Sequence, residues 1–260
     1  MFIADLAGAS VGSEVVVTGA EAHHAHVMRI ASGEQILLSD GAGHGAVATV
    51  TSAAKSELKA QVTELAPEPA VARQFVVVQA LPKRNRGELA VQAATELGAA
   101  KILGWQAARS IAKAKGERGD KLQRKWQATA LASAKQCRQL RVPEVIAPVS
   151  TKQVAEVISD AAAAFVLHEA ATESLARLPL PETGEVVIVI GPEGGISQAE
   201  LAEFQAAGAM LGLISSNVLH YSSMSKPHGR QRCSDMAETG LSVTRTPTTM
   251  GAILEVQCHG

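Results

Sequence analysis

The segment EVVIVIGPEGGISQAELAEF, residues 185–204, constrains the fold of this chain more than any other part of it. Its β-branched run over residues 186–190 predicts a buried strand. Ser197, followed three residues later by Glu200, has the spacing of a capping box and predicts the start of a helix. The glycine-rich residues 191–195 between them predict a turn at the carboxyl end of a strand, where α/β proteins bind ligands. The alternative is a tight connection without a ligand, and the spacing fits neither a dinucleotide-binding loop nor a Walker A loop.

Composition indicates a soluble protein with an aliphatic core. The 260 residues suit one large domain or two modest ones, and 47% of them are hydrophobic whereas only 3% are aromatic. No apolar run has the length of a membrane span and no secretory leader is recognisable, so we expect a cytoplasmic protein without a membrane partner. Cys137, Cys233 and Cys258 lack metal or redox spacing, so neither a disulfide framework nor a metal site is predicted.

Basic residues are concentrated in the middle of the chain. The net charge of −1 by itself predicts no affinity for nucleic acid. Residues 83–141, however, contain fourteen Lys or Arg and only four Asp or Glu. Such an excess produces a local positive field that attracts phosphate groups, although a solvated helix face would have the same composition.

Residues 1–70 have the pattern of a β-rich domain. Short strand-like runs lie at residues 14–18, 35–39, 46–52 and 58–65. The sequence GAGHG at residues 41–45 predicts a hairpin loop between two of them. His23, His24 and His26 favour a polar helix start with one functional histidine over a metal site, because no nearby acid or cysteine completes a ligand set. Pro-Glu-Pro at residues 67–69 predicts a linker to a second domain.

After the linker, strands and helices alternate, which indicates an α/β domain with a largely parallel sheet. Strands are predicted at residues 75–81, 101–105, 163–167 and 185–190, and helices at residues 86–97 and 121–138. The apolar stripe predicted for the first helix consists of Leu89, Ala93 and Leu97. The shared face of the second, basic helix consists of Leu122, Trp126, Ala130, Ser133 and Cys137. His168 and Glu169, which follow a strand, form either an acid/base pair or part of a pocket wall.

Several motifs, taken together, resemble one family of enzymes. In chain order they are Glu21, His24, Val27-Met28-Arg29-Ile30 and Gly33; Gln79-Ala80-Leu81-Pro82-Lys83, Arg86, Glu88 and Thr95-Glu96-Leu97-Gly98; Arg109-Ser110; Trp126, Gln136-Cys137 and Arg141-Val142-Pro143; Val166-Leu167-His168-Glu169; and Gly191-Pro192-Glu193-Gly194-Gly195. The set is similar to the S-adenosylmethionine-dependent enzymes of the SPOUT superfamily that methylate N3 of a uridine in 16S rRNA. The resemblance covers residues 1–213, and its most specific part is the combination of the Leu-Pro-Lys…Thr-Glu-Leu-Gly and Gly-Pro-Glu-Gly-Gly motifs.

The resemblance implies a two-domain α+β fold. Residues 1–70 would form an N-terminal PUA-like β-barrel that helps to hold RNA. Residues 71–260 would form a SPOUT-type α/β methyltransferase domain with a C-terminal trefoil knot, of which residues 225–260 are an atypical tail. The resemblance also implies a homodimer, S-adenosylmethionine as the cofactor, and 16S rRNA or the small ribosomal subunit as the partner, with no metal.

The resemblance also assigns residues to a site. The residues expected to bind the cofactor are Leu167, Ile190, Gly191, Pro192, Glu193, Gly194, Gly195, Val218 and Leu219. Those expected to bind RNA are His24, Arg29, Lys83, Arg86, Arg109, Gln136, Arg138 and Arg141. His220 is the expected catalytic residue, since negative charge must be stabilised on the uracil oxygens when N3 loses its proton.

The chain departs from the family pattern after Leu213. Where the family has Leu-Gly-Pro-x-Val-Leu-Arg-Thr, this chain keeps only Val218 and Leu219, and His220 replaces the arginine. A neutral histidine stabilises negative charge less well than a guanidinium group, so weak or absent methyl transfer is expected. The tail has two explanations, true divergence or a reading frame that has shifted, and its composition favours the second.

Three functions are therefore distinguished. The first is methylation of a uridine at N3 in 16S rRNA. The second is RNA binding by a catalytically impaired protein of the same fold, which cofactor binding would separate from the first. The third is methylation of another RNA by a SPOUT enzyme, against which the first-domain motif with His24 and Arg29 argues.

Overall fold

The computed structural model describes residues 1–66, 72–83 and 86–213. The predicted linker at residues 67–69 and the departures from the family after Leu213, with Val218, Leu219 and His220, lie outside the described residues. The strands are β1 (Phe2–Ile3), β2 (Glu14–Thr18), β3 (Gln35–Ser39), β4 (Gly45–Ala53), β5 (Glu57–Leu65), β6 (Arg73–Ala80), β7 (Lys101–Trp105), β8 (Glu144–Val149), β9 (Ala163–Leu167), β10 (Gly184–Ile190) and β11 (Met210–Gly212). The helices are α1 (Gly19–Val27), α2 (Arg86–Glu96), α3 (Glu117–Cys137), α4 (Thr151–Asp160) and α5 (Gln198–Ala206), with a single 3₁₀ turn at Leu175–Arg177.

The first five strands form one curved sheet in the order β1-β3-β4-β5-β2. Its pairs are antiparallel except β1 with β3, and β3 and β4 form the hairpin predicted around GAGHG. Side chains alternate between core and solvent because successive residues of a strand point to opposite faces. The fully buried residues Leu38, Val50, Leu58 and Val62 lie in this core. This five-stranded sheet confirms the PUA-like architecture expected for the start of the chain.

The last six strands form a second sheet in the order β11-β9-β10-β6-β7-β8, and every pair is parallel. Parallel strands need crossover connections, which the helices supply on both faces. One core contains Val154 of α4 and Phe204 of α5. The core on the opposite face contains Val91 of α2 and Trp126 of α3. The predicted parallel α/β arrangement is therefore confirmed.

The apolar stripe predicted for α2 is wrong. Leu89 is 37% and Leu97 63% exposed, whereas the buried residues of this region are Gly87, Val91, Ala94 and Thr95. The reason is a long-range contact. A Cβ atom on Gly87 would lie 2.7 Å from Cζ2 of Trp126, so the indole packs directly on the α2 backbone and turns that side of the helix inward.

Further differences concern the bounds of α1 and elements that were not predicted. The helix start expected at His23, His24 and His26 lies earlier, at Gly19, and these histidines lie at the middle and in the last turn of α1. The helix α4 and the strands β1, β8 and β11 were not predicted. α1 buries only Ala22 and Ala25, because its other side chains are mostly polar, so its apolar stripe is too narrow to be recognised. On α3 the predicted face is largely buried, but Cys137, at its end, is exposed.

The two sheets meet at the end of α3. The hydroxyl of Ser39 donates to the carbonyl of Leu140 at 2.6 Å, and the amide of Val142 donates to the carbonyl of Gly41 at 2.8 Å. Nearby, Nζ of Lys135 on α3 lies 2.7 Å from Oε1 of Glu21 on α1. These contacts hold the first sheet against α3. Of the helices in the described part of the chain, none combines the length and apolarity that a membrane span requires.

Candidate functional site

The glycine-rich turn lies at the carboxyl edge of the parallel sheet. Leu167 at the end of β9 and Ile190 at the end of β10 are register partners, and Ile190 also pairs with Gln79 of β6. Leu167 and Ile190, both half-buried, therefore lie side by side where the turn begins. This edge is where open parallel sheets bind their ligands, because the connections there leave backbone groups exposed.

Close packing explains why glycines form the turn. A Cβ on Gly191 would lie 2.8 Å from Cγ1 of Ile196, which leaves no room for a side chain. Gly195 has φ +74°, a left-handed conformation that favours glycine, and its amide donates to the carbonyl of Pro192 at 2.9 Å. Gly194 and Gly195 are exposed, and the N–H groups of Glu193 and Gly194 form no hydrogen bond with any described residue. The turn thus presents unused backbone donors at the surface.

Three residues expected to bind RNA meet this turn. Oε1 of Glu193 accepts a hydrogen bond from the amide of Lys83 at 3.1 Å and one from Nη1 of Arg86 at 3.2 Å. Nη1 of Arg109 donates to the carbonyl of Gly194 at 3.0 Å. The turn is therefore supported by the loop after β6 and the start of α2 on one side, and by the loop after β7 on the other. Some of the guanidinium N–H donors of Arg86 and Arg109 therefore form hydrogen bonds within the protein.

The capping box predicted at the start of α5 is present. The side chain of Ser197 accepts from the amide of Glu200, and the Glu200 carboxylate accepts from the amide of Ser197. Glu200 is also buried, with 4% exposure, and Oε1 accepts the amide of Ala108 at 2.7 Å and the hydroxyl of Thr151 at 3.3 Å. Burial opposes ionisation of this carboxyl, but the hydrogen bonds from Ser197, Ala108 and Thr151 outweigh it and hold the pKa of Glu200 below its ordinary value.

The remaining residues expected to bind RNA lie at other places. Arg138 and Arg141 follow α3 at the junction of the two sheets, where Arg141 forms backbone bridges with Gly41 and Ala42. His24 and Arg29 belong to α1 and the turn after it, and the ring of His24 lies 5.8 Å from that of Phe2.

Gln136 lines a groove of about 480 Å³ between α2 and α3. The structure therefore brings only Lys83, Arg86 and Arg109 of this set directly to the turn.

The basic segment forms an exposed surface around the start of α3. Lys113, Lys115, Arg118, Lys121 and Arg124 are all exposed. Four other basic residues of residues 83–141 are in ion pairs, in each case with an acid on another element: Arg86 with Glu193, Lys101 with Glu185, Lys125 with Glu88 and Lys135 with Glu21. Within the described ranges no acid pairs with the five exposed residues around the start of α3, so their charge faces solvent.

The hydrogen bonds of His168 bear on the two roles that the sequence left open for His168 and Glu169, an acid/base pair or part of a pocket wall. Nδ1 of His168 accepts the amide of Ala170 at 3.1 Å, and the amide of His168 donates to the carbonyl of Gly212 at 3.3 Å. No hydrogen bond or ion pair joins His168 to Glu169, both of which are described. The histidine therefore helps to shape the loop after β9 and is not part of an acid/base pair with its neighbour.

Sequence reasoning missed two polar residues beside the turn. Gln79 is 6% exposed at the carboxyl end of β6, and Ser110 is 6% exposed in the loop after β7 with a buried hydroxyl that has no partner among the described residues. Both lie in motifs that carry the family resemblance, yet no local pattern marks them as buried. A glutamine in a run of β-branched residues was the available signal for Gln79. Within the described ranges, no group of three or more His, Cys, Asp or Glu side chains is arranged so that it could hold a metal ion.

Comparison with known proteins places this chain in a family. A model of the RNA methyltransferase domain matches residues 69–223, and a model of the RNA methyltransferase PUA domain matches residues 17–63. A ribosomal RNA small subunit methyltransferase E from Mycobacterium bovis is 42% identical over 216 residues, covering 81% of this chain and 82% of that protein. The chain belongs to the ribosomal RNA small subunit methyltransferase E family.

Other members extend the comparison. The family member from Bacillus subtilis is 30% identical over 71% of this chain and 76% of its own length. The crystal structure of the member from Neisseria gonorrhoeae, bound to S-adenosyl methionine, superposes with a TM-score of 0.73 at 21% identity, over 82% of this chain and 88% of that chain. At this identity the superposition shows the shared fold, a PUA domain followed by the methyltransferase domain. The family resemblance seen in the sequence is thus confirmed, and the chain is an RNA methyltransferase by family.

Proposed function

We propose that this protein transfers a methyl group from S-adenosylmethionine to N3 of a uridine in the 16S rRNA of the small ribosomal subunit. The observation that carries the proposal is the glycine turn at the carboxyl edge of β10, in a chain 42% identical to a small subunit rRNA methyltransferase. The related protein from Neisseria gonorrhoeae is bound to S-adenosyl methionine, which supports the choice of cofactor. The second sheet would be the SPOUT-type catalytic unit.

The residues at the turn fit such a cofactor. The exposed glycines let a ligand approach the backbone closely, and the N–H groups of Glu193 and Gly194, which bond to no described residue, can donate to its polar atoms. The apolar side chains of Leu167 and Ile190 flank the turn. The proposed cofactor residues are Leu167, Ile190, Gly191, Pro192, Glu193, Gly194 and Gly195, together with Val218 and Leu219 outside the described residues. When bound, S-adenosylmethionine supplies an electrophilic methyl group.

The chain itself must orient the uracil and stabilise the charge that develops on it. As the N3 proton leaves, negative charge spreads over the two carbonyl oxygens of the uracil, and nearby cations or hydrogen-bond donors lower the barrier. Arg86 and Arg109, whose guanidinium groups are held at the turn by Glu193 and Gly194, would contact the RNA there. His220 remains the proposed catalytic residue.

Residues 1–70 are proposed as the RNA-holding domain and residues 71–260 as the catalytic domain. The wider RNA surface would include His24, Arg29, Lys83, Gln136, Arg138 and Arg141. We further infer a homodimer, a trefoil knot formed by the C-terminal part, and action in the cytoplasm where ribosomal subunits are assembled.

Methyl transfer is tested with labelled S-adenosylmethionine and either 16S rRNA or small subunits, followed by nucleoside analysis. The expected product is 3-methyluridine, at a low rate because His220 stands where the family has arginine. His220→Arg should raise the rate only in part, since residues 214–217 also depart from the family pattern. RNA binding with neither cofactor binding nor product would favour an impaired RNA-binding protein, and product in tRNA alone would favour another substrate.

RNA binding is tested by its salt dependence. Replacing Arg118, Lys121 and Arg124 by Gln should reduce the slope of log K against log salt concentration by about 2–3, since each phosphate contact contributes about 0.7–0.9. Lys152→Gln on the exposed surface of α4 is the control and should leave the slope unchanged. An unchanged slope in the triple variant would show that this surface is merely solvated.

A further inference from the structure

We infer that Glu200 is a positioning residue that holds the glycine turn in place through the loop that carries Arg109. This inference rests on the proposed function only in assigning the turn to the cofactor. The contacts that carry it are independent of any ligand, because they join described residues of the loop after β7, the glycine turn and the first turns of α4 and α5.

Helix capping alone does not account for the environment of Glu200. A capping box requires only the reciprocal bonds between Ser197 and Glu200, and such pairs are stable at the protein surface. Glu200 is instead 4% exposed, and its Oε1 accepts two further hydrogen bonds, from Ala108 and from Thr151. Every donor is uncharged, and no described cation forms an ion pair with the carboxylate. A buried charge is costly unless its hydrogen bonds are complete, so this carboxylate ties the start of α5 to the loop after β7 and to the start of α4.

The contact with Ala108 leads directly to the glycine turn. Ala108 precedes Arg109, whose Nη1 donates to the carbonyl of Gly194 at 3.0 Å. A Cβ on Gly194 would lie only 3.2 Å from Cβ of Arg109, so the two backbones are in close contact as well. If the bond from Ala108 to Glu200 is lost, the loop after β7 can move away and Gly194 loses its support. Glu200 therefore acts on the turn from both ends, through α5 and through Arg109.

The same network contains its own spectroscopic reporter. Nε1 of Trp105 donates to Oγ1 of Thr151 at 3.2 Å, and that hydroxyl donates in turn to Glu200. The indole N–H resonance of Trp105 therefore senses the charge at Glu200. Nε1 of Trp126, the other tryptophan of the chain, has no hydrogen-bond partner among the described residues and serves as an internal reference.

The test compares Glu200→Gln with Ser197→Ala in the full-length protein. The first variant keeps the size of the side chain but removes its charge and one acceptor. The second removes the cap and one hydrogen bond to Oε2, but it leaves the charge and both bonds at Oε1 in place. Hydrogen exchange of residues 106–109 and 191–195, the Trp105 indole resonance and the Kd for S-adenosylmethionine are measured for both. Glu200→Gln should shift the Trp105 but not the Trp126 resonance, speed exchange of both segments, and raise Kd by about tenfold. Ser197→Ala should speed exchange only in the first turn of α5.

A double-mutant cycle with Arg109→Ala tests whether Glu200 acts on the glycine turn through Arg109. If Glu200 acts through Arg109, the effects of the two substitutions on Kd are not additive, and the double variant resembles Arg109→Ala. Should Glu200→Gln prevent folding, Thr151→Val, which removes one bond to the same carboxylate, takes its place in the comparisons of hydrogen exchange and Kd. The Trp105 resonance is not used for this variant, because the substitution also removes the acceptor of the Trp105 indole N–H.

The outcomes separate this inference from the proposed function. Equal effects of Glu200→Gln and Ser197→Ala on the exchange of residues 191–195 would overturn the positioning role and leave Glu200 as a cap. A wild-type protein that binds no S-adenosylmethionine, while Glu200→Gln still loosens residues 191–195, would contradict the proposed function and support the positioning role. If the effects of Glu200→Gln and Arg109→Ala on Kd are fully additive, Glu200 does not act on the turn through Arg109.

Discussion

Gly191 illustrates at the scale of one residue how tightly the turn is built. Because a Cβ there would meet Cγ1 of Ile196 at 2.8 Å, Gly191→Ala should lower the free energy of unfolding by about 1–3 kcal/mol, the usual cost of overpacking. Urea denaturation measures this change. Ile196→Ala removes the opposing atom, so the cost of Gly191→Ala should be smaller in that background. If Gly191→Ala lowers the free energy of unfolding equally in both backgrounds, the contact with Ile196 is not what excludes a side chain at residue 191.

Asp40 makes stability depend on pH at the hairpin between β3 and β4. Oδ1 accepts the amides of Ala42 at 2.7 Å and His44 at 3.0 Å, and Oδ2 lies 2.7 Å from Nδ1 of His44. Burial opposes its ionisation, but these hydrogen bonds outweigh it and hold the pKa of Asp40 below its ordinary value of 3.8. The ionised form therefore stabilises the fold fully above the ordinary pKa, and this contribution disappears as the pH falls through the lower folded value.

Asp40→Asn should accordingly lower the free energy of unfolding at pH 7 by about 0.5–1.5 kcal/mol. The difference from wild type should shrink below about pH 4, where the wild-type carboxyl loses its advantage. Urea denaturation at several pH values from 3 to 7 is the measurement, with Asp160→Asn at the exposed end of α4 as the control. A difference that grows as the pH falls would contradict this reading.

At the scale of elements, α2 shows that helical spacing identifies a helix but not the side that is buried. Val91 is fully buried, so Val91→Ala should cost about 2 kcal/mol of unfolding free energy. Leu97 is 63% exposed, so Leu97→Ala should change it by no more than about 0.5 kcal/mol. Both are measured by urea denaturation. If Leu97→Ala lowered the free energy of unfolding more than Val91→Ala, the apolar stripe expected from the sequence would be the buried side of α2.

At the scale of the whole molecule, an ion pair joins the first sheet to α3. Nζ of Lys135 lies 2.7 Å and 2.8 Å from the two carboxylate oxygens of Glu21, and Glu21 also accepts the amide of Ile3. The side chains of Lys135 and Glu21 are only 18% and 21% exposed, so solvent screens this pair weakly. The pair fixes how the proposed RNA-holding sheet is presented beside the basic helix.

Lys135→Met should therefore lower the free energy of unfolding by about 1–3 kcal/mol, because it leaves Glu21 without its cation. Lys59→Met is the matched control, since Lys59 and Glu57 form a more exposed pair 3.6 Å apart, and its cost should stay below about 0.5 kcal/mol. Chemical denaturation followed by circular dichroism gives both values. Equal costs would indicate that the ion pair adds little to the junction, which would then depend on the hydrogen bonds of the Ser39 hydroxyl and the Gly41 carbonyl.

The sequence by itself determined the local features of this protein. The capping box of Ser197 and Glu200, the β3–β4 hairpin and four strands of the parallel sheet, β6, β7, β9 and β10, were predicted because each depends on residues close together in the chain. The motif set also sufficed to recognise the family, which the 42% identity to a relative confirms.

Only the tertiary structure decided what these features contact. Glu193 meets Lys83 and Arg86 across 110 and 107 residues, and Glu200 meets Ala108 across 92. Likewise the buried face of α2 was set by the packing of Trp126 against Gly87. Periodicity reports which residues share a side of an element, whereas the neighbour against which that side packs depends on the path of the whole chain. For this reason the sequence predicted a turn that binds a ligand, and the fold alone showed that a buried carboxylate and Arg109 support it.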